Sequence, residues 1–133
     1  MTTPQEHERK LVTSFILPAR QSRYLELFEK PKRREDITRS LAHFKHLDLR
    51  YAVQIAPREQ HVPDILRLLQ SKGAPENCYA VSEDSDLDGK EIALAKALKE
   101  VVGVGMGTFL SCIPGRLAYF EDEDCRWILE RRF

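Results

Sequence analysis

The residues whose spacing could do chemistry lie at Glu83-Asp84-Ser85-Asp86-Leu87-Asp88-Gly89. Three aspartates at alternate positions followed by glycine form the first half of a calcium loop. Such a loop places oxygen ligands at positions 1, 3 and 5, glycine at 6 and a bidentate glutamate at 12. Here position 12 is Ala95, and position 8, usually apolar, is Glu91. The second half is missing, and a complete EF-hand is not expected. The simpler expectation is a strand-to-helix turn. Asp88 would cap the helix, Glu91 would complete a capping box, and the nearby carboxylates would sit at the positive helix end.

A second metal arrangement is open. If residues 50–56 and 77–83 are parallel strands, their C-terminal ends share one sheet edge, where open α/β sheets bind ligands. Glu59 follows the first strand, and Asp84, Asp86 and Asp88 follow the second. Carboxylates converging there would suit Mg²⁺ with a phosphate-bearing substrate; Ca²⁺ is the other ion considered. Glu59 with Asp84-Ser85-Asp86 resembles the acidic signature of TOPRIM domains in nucleic-acid enzymes, over residues 59–88. The chain departs from that signature in two ways: the family's Asp-x-Asp follows a later strand, and its glutamate has a glycine neighbour.

Four further segments carry chemical residue types. Lys30-Pro31-Lys32-Arg33-Arg34 opens a basic segment reaching residue 46, and Lys32, Arg33, Arg34 and Arg39 are its candidate anion ligands. Such a face could bind phosphate backbones by charge alone, although a solvated helix face explains it equally. His43 and His46, with Asp48, are the wrong number and spacing for a persuasive metal site. Gly103-Val104-Gly105-Met106-Gly107 looks like a phosphate loop, but it follows a helix and precedes a strand, the reverse of what phosphate binding needs. A helix C-cap with close backbone approach is expected instead. Glu121-Asp122-Glu123-Asp124 repel one another and belong in an exposed connection. Ser111-Cys112 lacks a nucleophile elbow. His61 reads as a polar residue before the helix at Pro63.

Elements must position these residues. Thr3 as cap, Pro4 at the first position and Glu6 as capping-box partner start a helix carrying Leu11, Val12, Phe15 and Ile16. A second helix is expected from Ser22. A third should follow Pro31, with Ile37, Leu41 and Phe44 at helical spacing. Residues 50–56 read as a strand with Tyr51, Val53 and Ile55 on one face. A helix from Pro63 ends at Gly73, residues 77–83 form a strand, and another helix runs to Gly103. Residues 108–113 and 116–121 make a hairpin across Pro114-Gly115, a type II turn pair. Residues 127–130 form a last strand. The expected fold is α/β or α+β: a mixed sheet of about five strands with helices packed on it, preceded by a helical segment. One domain is expected over 1–133, helical over 1–48 and sheet-forming over 49–133.

Composition limits the function. The 133 residues include 21 basic and 21 acidic side chains, leaving no net field to attract nucleic acid or membrane. Residues 1–60 hold 12 basic and 8 acidic groups, a net of +4; residues 61–133 hold 9 and 13, a net of −4. Cys78, Cys112 and Cys125 are odd in number and widely spaced, so neither a disulfide framework nor a CxxC metal site is expected. The polar N-terminus shows no signal core, and the glycine-broken run 101–115 is too short for a bilayer. A cytoplasmic setting is expected. Three functions stay open. The first is a small non-catalytic binding or assembly module, a homodimer being one form. The second is a divalent-metal-dependent enzyme acting on a phosphate-containing substrate through Glu59, Asp84, Asp86 and Asp88. The third is a nucleic-acid binder using segment 30–46, which the neutral balance and the missing reading motif disfavour.

Overall fold

A computed structural model describes residues 2–132. Helix α1 (Pro4–Phe15) starts as its cap residues dictate: the Thr3 hydroxyl accepts the Glu6 backbone N–H at 3.1 Å, and Pro4 occupies the first turn. Helix α2 (Pro18–Glu29) begins at Pro18, not Ser22. The proline lacks an N–H that the first helical turn would leave unpaired anyway, so it opens this helix rather than merely closing the previous one. The third expected helix is broken into pieces. A 3₁₀ turn at Pro31–Arg33 leads into short α3 (Arg34–Thr38), and another 3₁₀ turn covers Leu41–His43. Helices α4 (Val62–Ser71) and α5 (Leu94–Val101) follow later.

Among the described residues six strands form one sheet: β1 (Ala52–Gln54), β2 (Asn77–Ser82), β3 (Glu91–Ala93), β4 (Thr108–Ile113), β5 (Leu117–Glu121) and β6 (Arg126–Glu130). Their order is β1-β6-β5-β4-β2-β3, and every adjacent pair is antiparallel. The expected class, helices on a sheet after a helical segment, is what forms. The sheet itself is not mixed. Short connections make hairpins of β2–β3, β4–β5 and β5–β6, which are antiparallel by geometry. The β4–β5 hairpin turns at Pro114-Gly115, where Gly115 has φ +72° and Arg116 N–H donates to the Ile113 carbonyl at 3.0 Å. A register offset between Ser111 and Ile113 precedes that turn.

The aspartate segment also changes role. Residues 83–90 connect β2 to β3, so they form a hairpin loop rather than a strand-to-helix turn. Glu91 pairs opposite Tyr79 in the sheet, and α5 starts only at Leu94, with Ala93 before it. Asp88 therefore caps no helix.

Both sheet faces are covered, which explains the near-continuous apolar reading of β2, β4 and β5. One face carries Tyr79, Val81, Phe109, Ala118, Phe120 and Leu129 against Leu11, Val12, Phe15, Leu27 and Leu41 of the helical segment. The other carries Cys78, Ala80, Leu110, Cys112, Tyr119 and Ile128 against Ile65, Leu69, Leu94 and Leu98 of α4 and α5. Each of these leucines and isoleucines contributes about 1.5–3 kcal/mol by burial. Strand β1 is the exception: Tyr51 joins one core, Ile55 the other, and Val53 is 68 % exposed, so the three share no buried face. Among the described residues, no helix is long and apolar enough to cross a membrane.

Candidate functional site

The basic segment and the aspartate loop meet, but as a structural joint. Arg34 opens α3, Glu8 lies on α1, Tyr79 on β2 and Asp88 in the β2–β3 loop. The Arg34 guanidinium donates to Asp88 through Nε (2.7 Å) and Nη2 (3.0 Å), to the Tyr79 hydroxyl (3.2 Å), and to Glu8 Oε2. Tyr79 in turn donates to Glu8 Oε2 at 2.5 Å, and Ser82 N–H donates to Asp88 at 2.9 Å. Burial would lower the Arg34 pKa, but the bonds to Asp88 and Glu8 outweigh it and hold the group above its ordinary value. Burial, helped by Glu8, pushes the Tyr79 hydroxyl up. His7 stacks on Tyr79 and bonds Ser111 Oγ at 2.6 Å; burial lowers its pKa. Every strong donor here has an acceptor within the chain, so the cluster joins helices to sheet.

The glycine run is filled the same way. Gly103 and Gly105 N–H groups donate to the two Glu121 carboxylate oxygens at 3.1 and 3.0 Å. Glu121, 1 % exposed, also accepts from Tyr119 (2.8 Å) and Arg126 Nε (3.2 Å), and Arg126 reaches Gln60. The loop does present amides to an anion, but the anion is a side chain of this protein. Gly107 allows a close approach: a Cβ there would lie 2.1 Å from the Leu41 carbonyl carbon. Its N–H donates to Glu83 at 2.7 Å. Glu121 is thus not part of an exposed acidic connection, although Glu123 and Asp124 are exposed.

The proposed metal ligands are not brought together. Strands β1 and β2 do point the same way, as the metal arrangement required. Three strands separate them, however, and four interstrand steps span about 19 Å. Glu59 lines a depression of about 350 Å³ with Asp64, Arg67, Leu68 and Ser71. Asp84 accepts the Asp86 N–H at 2.9 Å, and Asp88 is held by Arg34. Among the described residues no three His, Cys, Asp or Glu side chains are grouped to hold a metal. The proposed anion ligands are also dispersed. Arg33 and Arg39 both pair with Asp36, Arg34 is in the joint, and Lys32 is exposed. His43 pairs with Glu123 at 2.9 Å, while His46 bonds Tyr24 at 2.8 Å. The described cysteines are free thiols, and burial pushes Cys78 up to about 12 and Cys112 higher.

The opposite end of the sheet holds a groove that sequence reasoning missed. It encloses about 590 Å³ between Ser71 and Lys72 at the end of α4, Ile113, Arg116 and Leu117 of the β4–β5 hairpin, and Glu130, Arg131 and Arg132 after β6. Two of its cations share its one carboxylate. Glu130 holds Lys72 at 2.8 Å and lies 3.7 Å from Arg132. Arg131 stacks over Tyr51 at 4.4 Å and reaches the Ser14 carbonyl at 3.5 Å. The exposed Arg116 side chain has no hydrogen-bond or ion-pair partner among the described residues. The sequence signal was faint: four of the nine basic residues in the acidic half gather here from positions 72 to 132.

No family model matches the chain, and no curated protein or solved structure matches it either. The resemblance of residues 59–88 to TOPRIM domains therefore gains no support from these comparisons.

Proposed function

We propose that this chain is a small cytoplasmic binding module without catalytic activity. One observation carries that reading: its buried ionisable groups are matched internally. Glu8 and Asp88 are matched by Arg34, Glu121 by Arg126 and glycine amides, and Asp48 by Arg50 at 2.7 Å. A general acid or base needs an ionisable group aimed at space a substrate can enter. The Glu8–Tyr79 and Glu121–Tyr119 pairs are aimed at their own partners. The nucleic-acid reading loses Arg34 to the joint, and Arg33 and Arg39 to Asp36.

The assembly half of the reading is favoured by strand β1. Among the described residues it pairs only with β6, and Leu49 and Val53 are 63 % and 68 % exposed. Edge strands with exposed apolar residues pair readily with another copy.

The deciding experiment is an assay of the full chain on phosphate monoesters and diesters with Mg²⁺, Mn²⁺ or Ca²⁺, alongside thermal melts in each ion. No turnover and no metal-selective stabilisation are expected. Turnover, with a metal-dependent melting shift that disappears in Asp86→Ala, would replace this reading with the metal-dependent enzyme.

A further inference from the structure

We propose that β1 joins two copies of this chain, strand against antiparallel strand, about a twofold axis at Val53. The inference rests on the assembly half of the binding-module reading and names its partner, symmetry and register.

Backbone direction comes first. Ile55 N–H donates to the Arg126 carbonyl beside β6 at 2.8 Å, and Val53 pairs with Ile128. In an antiparallel ladder successive residues turn their backbone groups to opposite sides. Val53 and Ile55 are therefore turned to β6, and Ala52 and Gln54 are turned outward. The Ala52 N–H is taken by the Leu49 carbonyl. That leaves the Gln54 N–H and the Ala52 carbonyl, one residue to either side of Val53, without a partner among the described residues. A twofold axis at Val53 sets each Gln54 N–H against the partner's Ala52 carbonyl. One donor and one acceptor per copy thus make two bonds.

Burial sets what the side chains gain. Val53, 68 % exposed, meets its own equivalent in a non-hydrogen-bonded pair, where opposed side chains come closest. Val53, Gln54 and Ala56 are all exposed, so this edge is open among the described residues. The same register sets Leu49, 63 % exposed, opposite the partner's Pro57, another exposed apolar residue.

Charge selects the register. With the axis at Val53, Arg50 stands opposite the partner's Ala56. Glu59 lies one 3₁₀ turn beyond Ala56, its N–H bonded to the Ala56 carbonyl at 2.9 Å. Glu59 is exposed and unpaired among the described residues, and Arg50 is exposed as well. A cation then faces a carboxylate at each end of the joint. With the axis one residue on, at Gln54, Arg50 would stand opposite the partner's Arg58, so like charges would meet at both ends. Val53 would then face the partner's Ile55, which is 4 % exposed and already packed in its own core. Pairing of β1 with β3, the other edge of the sheet, would build an open filament, whereas the twofold closes on two copies. Pro57 has no N–H to extend the ladder, so the joint is short and the dimer depends on concentration.

The experiment is sedimentation equilibrium of the full chain across a concentration series, with disulfide trapping by oxidised glutathione. A monomer–dimer equilibrium with no larger species is expected. Val53→Lys sets like charges across the axis, and Gln54→Pro removes the outward N–H; each should weaken the dimer by about tenfold or more. Glu59→Lys should weaken it severalfold, and Lys32→Gln should leave it unaltered. These side chains are exposed, so the melting point should hold in every variant. In a Cys125→Ser background, Val53→Cys should link two chains covalently, because opposed non-hydrogen-bonded residues are spaced for a disulfide. Gln54→Cys should link about tenfold more slowly. The buried Cys78 and Cys112 do not compete. The proposal is overturned by a monomer at every concentration, by a dimer that both Val53→Lys and Gln54→Pro leave intact, by faster linking of Gln54→Cys, or by species growing past the dimer. The two readings fail separately. A dimer through another surface would keep the assembly reading and remove the β1 joint. Turnover of a phosphoester would remove the non-catalytic reading and leave the joint standing.

Discussion

The two ends of the sheet use the same kinds of side chain to opposite effect. Where β2 and β5 finish, carboxylates, arginines and glycine amides are turned inward on one another. Arg34 collects Glu8, Tyr79 and Asp88, and Glu121 collects Gly103, Gly105, Tyr119 and Arg126. Where β6 finishes, Lys72 and Arg132 share Glu130 at the rim of a groove, and Arg116 is exposed. An internally completed polar cluster stabilises and rigidifies; solvent-exposed pairs contribute little. The difference lies in partners rather than in residue type, and residue type is what a sequence motif reports.

The sharpest way to break the contrast is to remove Glu121. Glu121→Ala strips the acceptor from two glycine amides, a buried tyrosine hydroxyl and Arg126. A loss of about 3–5 kcal/mol is expected, measured by urea unfolding, because the abandoned partners stay buried. Arg34→Met comes next. Glu8 and Asp88 would face each other without a counter-charge, costing about 2–3 kcal/mol once their partial exposure is allowed for. An unchanged midpoint in either variant would mean these clusters are not structural.

Acid provides a third probe. His7 and His46 both have pKa values lowered from 6.5 in the fold, chiefly by burial. The unfolded chain therefore binds more protons than the folded one below pH 6.5. Stability should be flat above that value and fall as pH drops through it. In His7→Gln the slope should shrink, by at most about 1.4 kcal/mol per pH unit. A slope that His7→Gln leaves intact would remove His7 from the account.

The smallest effects belong to exposed positions. Arg116→Gln should change stability by less than about 0.5 kcal/mol, since the side chain touches no partner. Val53→Lys should also leave the melting temperature unaltered while abolishing any dimer seen by light scattering. A dimer that survives Val53→Lys would move the assembly surface away from β1.

How much of this was legible follows from distance along the chain. Thr3, Pro4 and Glu6 act within one turn, so the first helix could be read directly. The Pro114-Gly115 hairpin is equally local. Strand pairing is not local. Nothing in residues 50–56 or 77–83 reveals that β4, β5 and β6 lie between them, and the convergence of Glu59 with the aspartates failed on that point. The loop at 84–88 was judged by its spacing, yet its structural part is set by Arg34, far away in sequence. The groove was invisible for the same reason: its cations come from three connections that only the completed sheet brings together. The exposure of Val53 is not legible because strand alternation says which residues share a side, not whether anything covers that side.

The most direct test is a thermal melt of the wild type and Asp86→Ala, each without and with Mg²⁺. At a hundred times its dissociation constant, a ligand adds about 2.7 kcal/mol and raises the melting point by several degrees. The expected result is no Mg²⁺-selective shift in either protein. A Mg²⁺-selective shift lost in Asp86→Ala would contradict the account by placing a working site at the end of the sheet whose polar groups are matched internally.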